Sequence, residues 1–208
     1  MRKTAIILAG GSSERFGQEK GLVEFSGKPL ILRVIERIEG VAEEIIVVVR
    51  SEDQKRLYSP ILGSRIEIFL DMGAPGGPLT GALTGFSNAA GEYSLLLPCD
   101  TPFISKDVID LMFEISSNVD AVIPRWPNGY IEPLQAVYKT NSALVAGMNA
   151  VRRGDVRLQA MVSLLRRVRY LSTLVIKGID PSLLTFFNIN TKADLRRAES
   201  IMKNSMSR

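Results

Sequence analysis

The stretch TAIILAGGSSERFGQEKG, residues 4–21, runs from six mostly apolar positions straight into glycines and charges. The start, MRKTAIILAGG, is basic and then apolar like a secretion signal. Its apolar run is only about six residues, however, and it ends in glycines with no cleavage pattern, so the run Thr4–Ala9 reads as a first buried strand. A glycine loop directly after such a strand is where ligands sit in parallel α/β sheets, beyond the carboxyl ends of the strands.

The rest of the chain repeats that strand signal. Short apolar runs recur at Glu44–Val49, Arg65–Leu70, Tyr93–Leu97 and Ala121–Pro124, and segments with helical spacing, such as Leu30–Ile38 and Lys106–Ile115, lie between them. This alternation predicts βαβ units and a mostly parallel sheet covered on both faces, an α/β/α sandwich. Beyond Pro124 the pattern changes. Glu132–Lys139 and Val168–Ile176 read as strands, Asn141–Val151, Leu158–Leu165 and Lys192–Met202 as helices, and the tail from Lys203 as frayed. The last third is expected to form a β-rich lobe with its own helices, docked on the same sheet.

Composition narrows the chemistry. The 208 residues suit one domain, and no stretch approaches the roughly 20 apolar residues of a membrane span. There is no histidine, which excludes His-based triads, imidazole acid–base steps and the usual zinc ligand sets. Chemistry must use Asp, Glu, Lys, Arg or a metal held by oxygen. One cysteine, Cys99, cannot form an internal disulfide and agrees with a reducing cytoplasm. A net charge of +4 weakly favours anionic ligands and does not call for nucleic acid.

Three loops carry the functional signal. In the first, Gly10, Gly11 and Gly17 allow close backbone approach to an anion, and Arg15 and Lys20 add positive charge; together they suit a nucleoside triphosphate. The spacing matches neither G-x-G-x-x-G nor the P-loop. In the second, LLLPCDTPF at 95–103, a buried strand ends at Asp100 between prolines. A carboxylate there can hold Mg²⁺, or it can cap the following helix, for which Ser105 is the better cap. Cys99 beside it reads as a small buried filler. In the third, DMGAPGGPLTGAL at 71–83, Asp71 at the mouth can accept from a sugar hydroxyl or a base amino group; otherwise the loop is a turn with small-residue packing.

At these residues the chain resembles the molybdenum cofactor guanylyltransferases, within the GT-A-like nucleotidyltransferases. The likeness runs through LAGG, Arg15, Phe16, Gly17 and Lys20, then GKPLI at 27–31, GGPLTG at 76–81, PCDTPF at 98–103, EPLQAVY at 132–138 and FFNINTKADL at 186–195. The last two motifs separate the molybdopterin branch from other nucleotidyltransferases. Lys192 stands where the family often has proline, a departure expected to loosen the start of the last helix. The segment around Arg50 and Ser51 gives no clear equivalent of a family nucleoside contact.

The resemblance implies a three-layer, Rossmann-like (GT-A-like) fold that transfers GMP from GTP to molybdopterin with Mg²⁺ and releases pyrophosphate. It implies one domain over 1–208, with 1–124 binding nucleotide and 125–208 binding acceptor. Leu8, Ala9, Gly10 and Gly11 would meet the nucleotide, Lys20 and Arg15 its phosphates, Asp71 the nucleoside, and Asp100 the metal, while Asn188 and Asn190 would face the acceptor. GTP and molybdopterin are the expected partners, with cofactor-assembly proteins or recipient enzymes beyond them, no nucleic acid and no membrane; a monomer is the simplest state. Rival functions are a transferase using CTP or activating a sugar phosphate or phosphorylated alcohol, and a non-catalytic cofactor-binding module.

Two further features stay open at this level. The run 152–169, with six arginines, reads as the solvated face of an amphipathic helix or as a patch for the acceptor phosphate. Trp126 and Tyr130 in PRWPNGY could stack on a pterin or pin their loop to the core.

Overall fold

The computed structural model describes residues 2–11, 16–71, 73 and 76–206. Strands β1 (Lys3–Leu8), β4 (Glu44–Val49), β5 (Glu67–Leu70), β6 (Tyr93–Pro98), β7 (Ala121–Arg125), β8 (Ala136–Lys139) and β9 (Val168–Ser172) form one sheet in the order β5-β4-β1-β6-β8-β7-β9. All neighbours are parallel except β8, which runs antiparallel to both β6 and β7. A small hairpin of β2 (Glu24–Phe25) and β3 (Lys28–Pro29) turns at Ser26 and Gly27, both at positive φ.

Helices cover both faces because each strand alternates two sets of apolar side chains. Ala5, Ile7, Val47, Val49, Leu95 and Leu97 point to one side, where they pack with α1 (Leu30–Ile38), α2 (Glu52–Leu62) and α4 (Lys106–Glu114). Ile6, Ile46, Val48 and Leu96 point to the other, against α3 (Pro78–Asn88), α5 (Thr140–Arg152) and α6 (Leu158–Ser163). The expected three-layer α/β/α sandwich is thus the observed one. Small residues set the spacing of the second layer: a Cβ on Gly85 of α3 would overlap Ile6 of β1, and one on Gly147 of α5 would lie 2.7 Å from Leu83 of α3.

The last third departs from expectation. Its strands are threaded into the main sheet, and helices rather than strands dominate it: α5, α6, α7 (Thr173–Ile176) and α8 (Lys192–Met206). Strand β8 begins only at Ala136, because Pro133 lacks a ladder donor and Gln135 closes a turn onto the Glu132 carbonyl. Strand β9 stops at Ser172, whose hydroxyl accepts from Leu174 N–H and caps α7 where continued strand was expected. Helix α8 continues through Lys203 to Met206, beyond the expected fraying point.

Candidate active site

Strands β1, β4 and β6 end side by side. Ala9 N–H donates to the Val48 carbonyl and Cys99 N–H to that of Leu8, which draws the three following loops to one edge of the sheet. Between them lies a cleft of about 210 Å³ lined by Leu8, Gly10, Gly11, Lys20, Asp71 and Asp100, all expected at the site from sequence. Ala9 differs. It is buried, its N–H is committed to Val48, and its side chain packs in the core beneath the cleft. Arg15 lies outside the described residues.

Lys20 opens a short 3-10 turn, Lys20–Leu22, directly beneath which Tyr58 of α2 is fully buried. Glycine at 21 is required by that proximity, since a Cβ would come within 2.6 Å of the Tyr58 hydroxyl. Burial drives the Tyr58 phenol well above its ordinary range, so it stays protonated. The turn presents the Lys20 ammonium to two acceptors: the carboxylate Oδ2 of Asp100 in an ion pair, and Asn190 Oδ1 at 2.6 Å. Asp100 is only 6% exposed. Its other oxygen, Oδ1, is buried and has no hydrogen-bond partner among the described residues.

The helix after β6 is capped by Ser105, whose hydroxyl accepts from Val108 N–H, so Asp100 is not the cap. Its backbone carbonyl instead accepts from Ile189 N–H at 3.0 Å, which fixes the segment carrying both asparagines beside the end of β6. Asn190 is held in turn by Asp194, whose carboxylate accepts from Asn190 N–H at 3.1 Å and from the Thr191 hydroxyl at 2.8 Å. Asp194 N–H donates back to Thr191 Oγ1. This reciprocal cap starts α8 firmly at Lys192 without proline. Asn188 Oδ1 accepts from Gln135 Nε2 at 3.4 Å, and Gln135 is itself buried with its Oε1 unpartnered among the described residues.

On the opposite wall, Asp71 continues the β5 ladder through its N–H to the Val49 carbonyl, 2.7 Å. Its Oδ2 lies 3.1 Å from the Thr80 hydroxyl at the start of α3, and a Cβ on Gly81 would contact both that oxygen and Leu8. The lining also includes residues that the sequence reading did not place at the site, among them Leu134 and Arg50, the latter set aside for want of a clear family equivalent. Leu134, from the turn before β8, closes one side. Arg50, after β4, packs its backbone against Gly10, where a Cβ would come within 3.3 Å of Arg50 N. Gln54 holds Arg50 in place, accepting its N–H at 2.6 Å while donating to Glu19 at 2.8 Å next to Lys20.

Cys99 also borders the cleft, but burial pushes its thiol up to about 12, so it is an inert filler. Trp126 pins its loop, donating from Nε1 to Glu132 at 2.7 Å with its ring tilted against Phe186, whereas Tyr130 stands 55% exposed. The arginine-rich run is not one helix. It leaves α5, turns at Gly154, forms α6 and enters β9, so Arg166 and Arg167 lie immediately before β9. That edge is the opposite end of the sheet from the cleft, because β8 starts beside Leu96 and ends beside Tyr93 at the far end of β6, where antiparallel β7 and, parallel to it, β9 begin.

Residues 5–169 match the model of the MobA-like NTP transferase domain. A probable molybdenum cofactor guanylyltransferase of Methanosarcina mazei is 37% identical over 93% of this chain and 88% of its own length. The molybdenum cofactor guanylyltransferase of Desulfosudis oleivorans is 33% identical over 96% of each chain. Among solved structures, molybdopterin-guanine dinucleotide biosynthesis protein A from Archaeoglobus fulgidus superposes with a TM-score of 0.81 at 28% identity, covering 97% of this chain and 99% of that one. The glycine loop, the Lys20–Asp100 pair and the shared sheet edge are therefore parts of a nucleotidyltransferase, and the chain belongs to the MobA-like NTP transferase family together with the molybdenum cofactor guanylyltransferases.

Proposed function

We infer that the chain transfers GMP from GTP to molybdopterin, giving the guanine dinucleotide cofactor and pyrophosphate. The observation that carries this reading is the meeting of Lys20, Asp100 and Asn190 on one ammonium group, at the seam between the 1–124 half and the 125–208 half. A phosphate-binding cation, a metal-binding carboxylate and an acceptor-side amide at one point are what such a transfer needs.

The reacting groups require no histidine. The acceptor's terminal phosphate is already ionised at neutral pH, so its oxygen can attack the α-phosphorus without a strong base. A new P–O bond forms there while the bond to the pyrophosphate oxygen breaks, and the pyrophosphate leaves with the electron pair. Lys20 neutralises charge on the departing phosphates as a point charge, with Arg15 assisting. Leu8, Gly10 and Gly11 receive the base, Ala9 supports their backbone from beneath, and Asp71 binds the nucleoside. Asn188 and Asn190 orient the acceptor.

Asp100 is the proposed holder of Mg²⁺. Its buried, unpartnered Oδ1 is a ready ligand, and no cluster of three or more His, Cys, Asp or Glu suited to a metal occurs among the described residues. One carboxylate completed by substrate phosphates and water is the donor set that Mg²⁺ prefers. Bound there, the ion would draw charge from the phosphate oxygens of the substrate. The single buried thiol fits a reducing cytoplasm. Mass spectrometry of the products from GTP, molybdopterin and Mg²⁺ tests the reading directly: the dinucleotide cofactor is expected, and unchanged molybdopterin beside intact GTP would overturn it.

A further inference from the structure

The arginine-rich run has no place in the cleft chemistry, but it builds a second concavity. A groove of about 600 Å³ runs along α5 from Lys139 and Asn141 to Arg153, and the segment 164–167 forms its other bank. Lys139, Arg153, Arg166 and Arg167 all line it, and none of them is in an ion pair among the described residues. The one carboxylate present, Asp120, is already committed. Its Oδ1 accepts from the Ser142 hydroxyl at 2.9 Å, and its Oδ2 from the N–H groups of Arg166 and Arg167 at 3.1 and 3.0 Å. With Asp120 counted, the groove carries a formal charge of +3 in a chain whose total is +4, so it is a local concentration of positive charge rather than part of an even surface.

We propose that this groove docks an acidic segment of another protein, one that carries an apolar side chain between its carboxylates. Between the polar groups the wall has an aliphatic strip of Val145, Ala146, Leu164 and Leu165, and Val145 is 52% exposed. From Ser142 to Arg153 the α5 face spans roughly 16 Å at 1.5 Å per residue, the length of about five extended residues. Nucleic acid is a poorer match, because the groove has no aromatic lining on which bases could stack. A lone phosphate is poorer too, since the cations are spread along the groove and the N–H groups of Arg166 and Arg167 are already taken. Lys139 pairs with Tyr93 at the start of β6, five residues before the cleft at Pro98, roughly 17 Å at 3.3 Å per residue. A partner seated at that end leaves the cleft open.

The test is fluorescence anisotropy with a labelled DELDE peptide against the full chain. The expected result is a Kd below about 1 mM in low salt, weakened at least about tenfold by the Arg166→Glu/Arg167→Glu pair. Reversal at Lys55 and Arg56 on α2 makes the same change in net charge and is expected to stay within about twofold. An Arg166→Ala/Arg167→Ala chain and a salt titration of the native one read the same contacts if the reversed pair folds poorly; both should weaken binding. No binding of the peptide, equal loss in the α2 control, or a single-stranded oligonucleotide or pyrophosphate that binds more tightly through the same arginines would each overturn the proposal.

Discussion

Lys20 and Asn190 stand 170 residues apart in the chain, yet Lys20 Nζ donates to Asn190 Oδ1 at 2.6 Å. Under the proposed function, the contact couples the phosphate side of the cleft to the acceptor side. Asn190→Ala should therefore act on the acceptor: its KM is expected to rise about tenfold, the scale of one hydrogen bond to a charged group, with the KM for GTP nearly unchanged. Steady-state kinetics varying each substrate separately reads the split. An equal rise in both would mean that Asn190 only steadies Lys20.

Close packing of α3 on β1 rests on Gly85, whose missing Cβ leaves room for Ile6. Gly85→Ala places a methyl group against a fully buried branched side chain. The expected cost is about 1–3 kcal/mol of overpacking strain, read as a melting temperature several degrees lower. An unchanged melting temperature would mean that α3 can move off the sheet without loss.

Acid should loosen α8. The Thr191 hydroxyl chiefly lowers the pKa of Asp194 below its ordinary 3.8; burial opposes this, and the N–H groups of Asn190 and Thr191 add to the lowering. A lowered native pKa means that the contribution is complete above the unfolded value and is lost as pH falls through the folded one. Thr191→Ala should cost about 1 kcal/mol at neutral pH and flatten the stability loss below about pH 4. Urea unfolding of both chains across that range measures it; parallel curves would count against the cap.

Cys99 borders the cleft but is buried, with its thiol pushed up to about 12. Iodoacetamide should leave the native chain unmodified at mildly alkaline pH and alkylate it after denaturation, and Cys99→Ala should keep its turnover. Rapid alkylation of the folded chain with loss of activity would contradict this.

Legibility in the sequence followed the physics of each signal. The strands β1, β4 and β6 were readable because runs such as Ala5–Leu8 and Leu95–Leu97 have both faces buried and are short and bounded. The antiparallel insertion of β8 was not, since periodicity reports which residues are buried and not which strand lies beside which. Thr173–Ile176 has the β-branched composition of a strand, and only the Ser172 cap turns it into a helix. Asp71, Lys20 and Asp100 stood out because charges after apolar runs are conspicuous. Arg50 was set aside because its part is played through backbone packing on Gly10, which no side-chain pattern signals, and the Lys20–Asn190 contact was missed because it joins opposite ends of the chain.

The most direct test of the account is pyrophosphate release from GTP and from CTP, with Mg²⁺ and molybdopterin, by the native chain and by Asp100→Ala and Lys20→Ala. The account predicts release with GTP that depends on acceptor and metal and falls at least about a hundredfold in each variant, the scale of losing one preorganised charge partner. Near-native release by either variant, or a preference for CTP, would contradict it.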